Sequence, residues 1–360
     1  MKDTIGIGII GTGFARSTQI PCFLETEGAK IVSIASGHAA NAEKTASDFG
    51  IPHHTGDWRE TVGHDDVDLV CITTPPNLHR EMSVLCAENG KHILCEKPTA
   101  MNSEEAREML DAAQVAGVMA LIDHELRFLN GRLKAQEMLR GGEIGKVVHV
   151  KSVFRNASRG NPDLKWNWWS DESQGGGALG AIGSHAIDGF RWLLNTEVRD
   201  VSCLLKANIK ERRDAEGTVR KVTSDDECNL ILRFNDSEIA EDASGTGSFS
   251  MVEFGENDFW NEIYGTEGTI VIFGEGQLKI ARKGEGSFSD VAVEPDSAPE
   301  NARSGGWSNG FQAFAREIVS ALREGRTEVP GAATFEDGLR IQEVLDAARE
   351  SHKTGRRVEI

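Results

Sequence analysis

Five short apolar runs alternate with helical stretches in the first 123 residues, and the first run passes directly into Gly11-Thr12-Gly13. The runs cover residues 5–10, 30–35, 68–73, 92–95 and 118–122. They are apolar on both faces, the pattern of strands covered by helices on either side. Helical stretches fill 19–25, 40–49, 79–89 and 103–116. The last begins Ser103-Glu104-Glu105, with acids where a helix N-terminus favours them. Such alternation predicts a doubly wound parallel sheet, the Rossmann type of α/β fold, whose ligands gather at the carboxyl ends of the strands.

At 360 residues the chain exceeds one ordinary core, so a second domain is expected, with 1–123 dinucleotide-binding and 124–360 binding substrate. After residue 124 the pattern changes. A helix at 131–140 leads to a strand at 147–154, a loop rich in Trp and Asn, a glycine run and a helix at 184–194. Strands with one solvated face are expected at 201–209, 227–234, 261–264, 269–272 and 277–281. Residues 284–304 read as an acidic loop, and helices at 309–324 and 335–354 close the chain. The expected second domain is α+β, with a large, open, mostly antiparallel sheet.

Charge narrows the classes of partner. The net charge is -18, from 39 basic and 57 acidic residues, with no basic stripe. Neither nucleic acid nor an anionic membrane suits such a surface. No apolar run is long enough to span a bilayer, and the first residues lack the pattern of an export signal. Six scattered cysteines without a C-x-x-C spacing read as buried free thiols in a reducing cytoplasm. No metal site is expected; the adjacent His53 and His54 read as loop surface.

Glycine at positions 11 and 13 permits a tight turn and close approach of backbone N–H groups to a pyrophosphate. Phe14 and Ala15 complete the turn, and Ala15 supplies the close helix–strand contact, because the third position of G-x-G-x-x-G is Arg16. The second strand ends Ala35-Ser36-Gly37-His38 without the acid that holds an NAD ribose. Ser36, His38 and Lys44 suit a 2′-phosphate, favouring NADP with NAD possible; the alternative for Lys44 is an ordinary helix lysine. Thr73, Thr74, Pro75, Asn77 and His79 end the third strand and open the next helix. They read as a wall for the ribose and nicotinamide, or more simply as a helix cap.

Two further motifs bear on chemistry. Glu96-Lys97-Pro98 follows the fourth strand. There Lys97 can bond a substrate hydroxyl and pass a proton, while Glu96 orients it or the nicotinamide ribose. The Gly-rich run from Gly175 to Gly183 enters Ser184-His185, with Asp188 one helical turn on. His185 alone would be structural; with Lys97 it becomes a second acid/base.

In this order and spacing, Gly11-Thr12-Gly13, Glu96-Lys97-Pro98 and the 175–188 run resemble the GFO/IDH/MocA oxidoreductases, as do the closing helices. The resemblance covers essentially the whole chain. It implies reversible hydride transfer between a nicotinamide and a hydroxyl carbon of a sugar, sugar acid or polyol. It also implies Lys97 and His185 as the catalytic pair, and a homodimer or homotetramer assembled through the C-terminal sheet. Ser36-Gly37 and Asn41 to Lys44 resemble the NADP-holding pattern of glucose–fructose oxidoreductase.

One position departs from the family. Ala181 stands where relatives often carry Asp four residues before the histidine. Either Lys97 and His185 act with a water, or Asp188 or a group of the 163–169 loop assists. Otherwise the chain is a nicotinamide-binding sensor or scaffold, or uses bound cofactor in an internal redox cycle. By position, His124 and Arg127 line the substrate side, with Lys165, Trp166, Asn167 and Trp168. Indole faces suit the C–H faces of a sugar ring; Arg127 and Arg155 equally suit a sugar acid.

Overall fold

The structure is a computed structural model that describes residues 2–360. The chain forms two compact units. One gathers residues up to Ala100, Glu104–Leu129 and Asp296–Leu339; the other gathers Met101–Ser103, Asn130–Pro295 and Arg340–Ile360. A division at 123/124 does not capture the return of 296–339 to the first unit.

In the first unit the strands are β1 (Ile5–Ile10), β2 (Ala29–Ala35), β3 (His53–Thr55), β4 (Leu69–Ile72), β5 (His92–Cys95) and β6 (Ala120–Ile122). They form one parallel sheet in the order β3-β2-β1-β4-β5-β6. The order reverses on either side of β1, so the crevice beyond β1 and β4 is the topological switch point. The helices are α1 (Ile20–Leu24), α2 (Ala39–Phe49), α3 (Trp58–Val62), α4 (His79–Glu88) and α5 (Ser103–Ala116). β3 and α3 were not expected. His53 is in the edge strand β3, not a surface loop, with its Nδ1 2.9 Å from Ser33 Oγ. Three residues are too few to show a strand period.

The second unit begins with α6 (Asn130–Arg140), β7 (Val147–Arg155), α7 (Ser184–Leu194) and β8 (Val198–Lys206). A small hairpin, β9 (Glu211–Arg213) with β10 (Val219–Lys221), precedes β11 (Glu227–Phe234) and β12 (Ala240–Ser250). Then come β13 (Asp258–Gly265), β14 (Gly268–Phe273), β15 (Leu278–Arg282) and β16 (Ser289–Val291). The chain then gives α8 (Gly306–Arg323) to the first unit, and α9 (Phe335–Thr354) and β17 (Val358–Glu359) close it. Nine strands join as β16-β15-β14-β13-β7-β12-β11-β8-β17. Only β12 and β7 run parallel.

Five strands here escaped sequence reasoning: β9, β10, β12, β16 and β17. β12 turns Ala243, Gly245, Gly247 and Phe249 inward. A Cβ on Gly245 would lie 3.0 Å from Phe234 and Val150, and one on Gly247 would lie 2.6 Å from the Phe249 ring. The strand is small-faced because its aromatic neighbours take the space, which erases the apolar alternation. β16 falls inside the segment expected to be loop and gains its bonds from β15.

α8 explains the return of the chain to the first unit. Its Phe311, Phe314, Ala315 and Ile318 are fully buried with Ile5, Ile7, Phe23 and Phe128. Phe23 meets Phe311 edge-on at 5.4 Å, and Phe128 stacks on Phe314 at 4.4 Å. All six cysteines are free; Cys203 is half-buried and the other five are buried. No helix among the described residues is long and apolar enough to cross a membrane.

Candidate active site

β1 delivers Gly11 to the switch point with φ 109°, where only glycine is unstrained. A Cβ there would lie 2.5 Å from Thr73 Oγ1 and 2.6 Å from its carbonyl oxygen. Thr73 occupies that space because its N–H and hydroxyl both donate to the Ile10 carbonyl, at 2.8 and 3.0 Å. Gly13 is different: a Cβ on it would meet nothing within 4 Å. Helix begins at once after Phe14, with Ala15 fully buried against the sheet. Open clearance at Gly13, in front of a helix start at a strand end, fits a dinucleotide pyrophosphate.

The residues expected at the adenosine end are held locally. Ser36 Oγ accepts from His38 N–H at 3.4 Å. Lys44 and Arg16 both pair with Asp48, and Arg16 also reaches Thr45 and lies over the Phe49 ring. Hydrogen bonds from Arg16 and Lys44 hold the Asp48 carboxyl below its usual range. Two cations thus share one carboxylate on this face of α2.

The wall after β4 divides into exposed and buried members. Asn77 is exposed, and Thr73, Thr74 and Pro75 are half-buried. His79, expected in the wall, lies behind it. It is fully buried, with Nε2 2.9 Å from the Thr74 carbonyl and Nδ1 3.1 and 3.3 Å from the carbonyls of Pro98 and Thr99. It ties the loop after β4 to the loop after β5, and neither ring nitrogen is left for a ligand. Burial, more than any charge, pushes its pKa down.

Lys97 follows β5 at the same carboxyl edge as Gly11, because every strand of this sheet is parallel. Its Nζ lies 6.0 Å from the centre of the Trp307 ring, at the start of α8. No sequence signal marked Trp307, which is 210 residues away by number. Glu96 is buried, with Oε2 accepting from Lys97 N–H at 3.3 Å. His124 is buried as well, beside the end of β6. Arg127, expected to line the substrate side, is a tie within the unit. Its guanidinium lies 3.5 Å from Asp337 Oδ1 and donates to the Gly331 carbonyl at 3.3 Å. A groove of about 990 Å³ between 110–121 and 325–336 lines the β6 edge rather than these strand ends. Strand-end geometry locates the chemistry better than groove size.

In the second unit His185 is buried in the first turn of α7, with Asp188 buried one turn further. Ala181, also buried, sits in a five-residue π turn (Leu179–Gly183) leading into α7. The preceding glycines serve packing. A Cβ on Gly176 would lie 2.5 Å from the Trp169 carbonyl, and one on Gly177, at φ 128°, would lie 2.3 Å from Asp225 Oδ1. Close approach of protein backbone, not of a ligand, is what these two glycines allow.

The tryptophan loop is half-buried. Asn167 caps it by accepting from Trp169 N–H at 3.1 Å on its Oδ1, and the residue is exposed. Trp166 donates its indole N–H to the Lys221 carbonyl at 3.0 Å, under Arg220. Trp169 packs on the core and against Trp168, with ring centres 4.9 Å apart. Lys165 and Asn167 are the exposed members, and Trp168 is half-buried.

Asp225 accepts the Leu179 N–H at 2.8 Å and so caps the turn that leads to His185. Burial, opposed by backbone donors and Arg349, pushes its carboxyl up from 3.8 to about 6. Because the folded value is the higher, its contribution to stability is full below 3.8 and is lost as pH rises through about 6. Asp225→Asn is expected to flatten that part of the pH–stability curve in chemical denaturation; an unchanged slope would exclude the assignment.

Comparison with known proteins agrees with this architecture. Residues 5–124 match the oxidoreductase family with an NAD-binding Rossmann fold, and 136–360 match the C-terminal alpha/beta domain of the same family. Levoglucosan dehydrogenase of Pseudarthrobacter phenanthrenivorans is 30% identical over 384 residues, covering 97% of this chain and 96% of that protein. Glucose-fructose oxidoreductase domain-containing protein 2 of Mus musculus is 29% identical over 379 residues, covering 99% and 93%. A structure of levoglucosan dehydrogenase in complex with NADH and L-sorbose superposes with a TM-score of 0.88 at 27% identity, covering 100% of this chain and 99% of that one. The parallel sheet with its glycine turn, the mixed nine-stranded sheet and these matches together establish that the chain belongs to the GFO/IDH/MocA family of oxidoreductases.

Proposed function

We propose that the protein is a nicotinamide-dependent dehydrogenase acting on a hydroxyl carbon of a sugar, sugar acid or polyol. One observation carries the reading: the glycine turn after β1 and Lys97 after β5 open at the same edge of one parallel sheet. The first can seat a dinucleotide, and the second places an amine beside it. Gly11, Gly13, Phe14 and the N–H groups at the start of the following helix would hold the pyrophosphate. A bound nicotinamide supplies the hydride acceptor or donor. Lys97 takes the hydroxyl proton as the hydride leaves carbon, and returns it in the reverse direction. His185 is the second acid/base. Lys165 and Trp168 offer the substrate a cation and an indole face. Relatives crystallised with NADH and levoglucosan or L-sorbose support a carbohydrate ligand.

For the cofactor we propose a preference for NADP. It rests on the absence of an acid after β2 and on the Arg16 and Lys44 pair over one carboxylate. Lys44→Ala is expected to weaken NADPH about tenfold and NADH little, since a charged hydrogen bond to the 2′-phosphate is lost. Equal weakening of both, by calorimetry, would refute the assignment. Tighter NADH than NADPH in the unaltered protein would do so too.

The test of function is calorimetric titration of cofactor-stripped protein with NADPH and NADH, then a panel of sugars, sugar acids and polyols followed at the nicotinamide absorbance. Levoglucosan belongs in that panel. Binding with turnover of one substrate class supports the dehydrogenase. Absence of dinucleotide binding overturns it. A second reading, a nicotinamide-binding sensor, is favoured by Ala181 alone and predicts binding without turnover. Assembly as a homodimer or homotetramer is part of the proposal. Leu204 and Ile231, each 60% exposed, share the solvent face of the second sheet. Sedimentation as a monomer would exclude that assembly.

A further inference from the structure

β5 and β6 pair in parallel with Cys95 opposite Ile122, so the next residue on each, Glu96 and Asp123, leave the sheet side by side. Both are buried, at 8% and 0% exposure. Their backbones are fixed: Glu96 N–H donates to the Ile72 carbonyl at 2.9 Å, and Asp123 N–H to the Cys95 carbonyl at 2.8 Å. Each carboxyl has one oxygen with a donor. Gln19 Nε2 donates to Asp123 Oδ2 at 2.8 Å, and Lys97 N–H donates to Glu96 Oε2. The other oxygens, Glu96 Oε1 and Asp123 Oδ1, are buried without any donor. One proton placed between the two side chains would give both of these oxygens a partner. A hydrogen bond between two carboxyl groups requires a proton on one of them.

We propose that Glu96 and Asp123 share one proton at neutral pH, held on Asp123 and donated to Glu96. Asp123 is then a positioning residue that keeps Glu96 a single, fixed anion beside Lys97. The proposal rests on the functional reading above for the role of Lys97, but the shared proton itself does not.

The surroundings agree in sign. Burial first, then the charges of Glu125 and Glu96, push Asp123 far up; burial pushes Glu96 up while Lys97 opposes. The nearby thiols of Cys22, Cys71 and Cys95 are each pushed up by burial and so neutral. Arg316 faces Cys22 from α8. With both carboxyls ionised, two anions would lie side by side in a buried site. The retained proton removes that repulsion and satisfies both donorless oxygens at once.

Infrared spectroscopy of the purified full chain tests this without substrate. At about pH 8, where Asp225 with its value of about 6 is ionised, one protonated carboxyl stretch is expected. It should shift when the aspartates carry a labelled carboxyl carbon and vanish in Asp123→Asn. No such band, or a band untouched by aspartate labelling, overturns the shared proton even where a variant fails to fold. In turnover, Asp123→Ala is expected to lower kcat about tenfold, and Asp123→Asn, whose amide still donates to Glu96, to recover most of that loss. Equal loss in both variants would overturn the positioning role. Failure of the dehydrogenase reading would show instead as absent dinucleotide binding, with the infrared band intact.

Discussion

Lys97→Ala is expected to lower kcat by about 10²–10⁴-fold, the range for loss of a positioned acid/base, while NADPH affinity stays within a few-fold. The split follows from where the residue sits. Lys97 follows β5, whereas the glycine turn that would hold the pyrophosphate follows β1, with β4 between those strands. Removing the amine leaves Gly11, Thr73 and the helix start untouched. The side chain is half-buried rather than locked in the core, so the fold should tolerate alanine. Stopped-flow turnover with calorimetric binding of the same preparation measures both halves. Undiminished turnover would remove Lys97 from the mechanism. Loss of binding and turnover together would make it a cofactor ligand instead.

The second large effect separates two glycines of one motif. Gly11→Ala places a Cβ 2.5 Å from Thr73 Oγ1 at φ 109°, so it must break the Thr73–Ile10 clamp and strain the backbone. A forbidden φ alone costs about 1–3 kcal/mol, and the clash adds to it. Thermal stability and cofactor affinity should fall together. Gly13→Ala meets nothing within 4 Å, so its melting temperature should match the unaltered protein. Its NADPH affinity should still fall at least tenfold, because the methyl occupies the approach of the pyrophosphate. A Gly13→Ala protein that binds normally would show that the dinucleotide does not pass there. One that unfolds early would show that the open space belongs to packing.

Much of this site was legible before any coordinates. The glycine turn after an apolar strand and the lysine after another are local signals, and each is where the sequence put it. The strands β1, β5 and β11 and the helices α5, α7 and α9 have the bounds expected from periodicity. What misled was side-chain commitment. His79 and Arg127 carry the chemistry of ligands, but three carbonyls take the first and Asp337 and Gly331 hold the second. Asn167 looks suited to a sugar hydroxyl, and its Oδ1 also caps its own loop. Polar residues look alike in a sequence whether they serve a ligand or the backbone.

Order along the chain, apolar period and glycine placement are properties of neighbouring residues, and from these the sequence alone determined a parallel sheet with a nucleotide turn, a lysine at its edge and a second, mixed domain. Only the tertiary structure decided what depends on distant partners. α8 brings Trp307 to Lys97, β12 is narrow because Phe234 and Phe249 fill its space, and Glu96 lies against Asp123 because β5 and β6 pair in that register. Adjacency between residues far apart in number is set by packing and strand register, which leave no periodic trace in either segment.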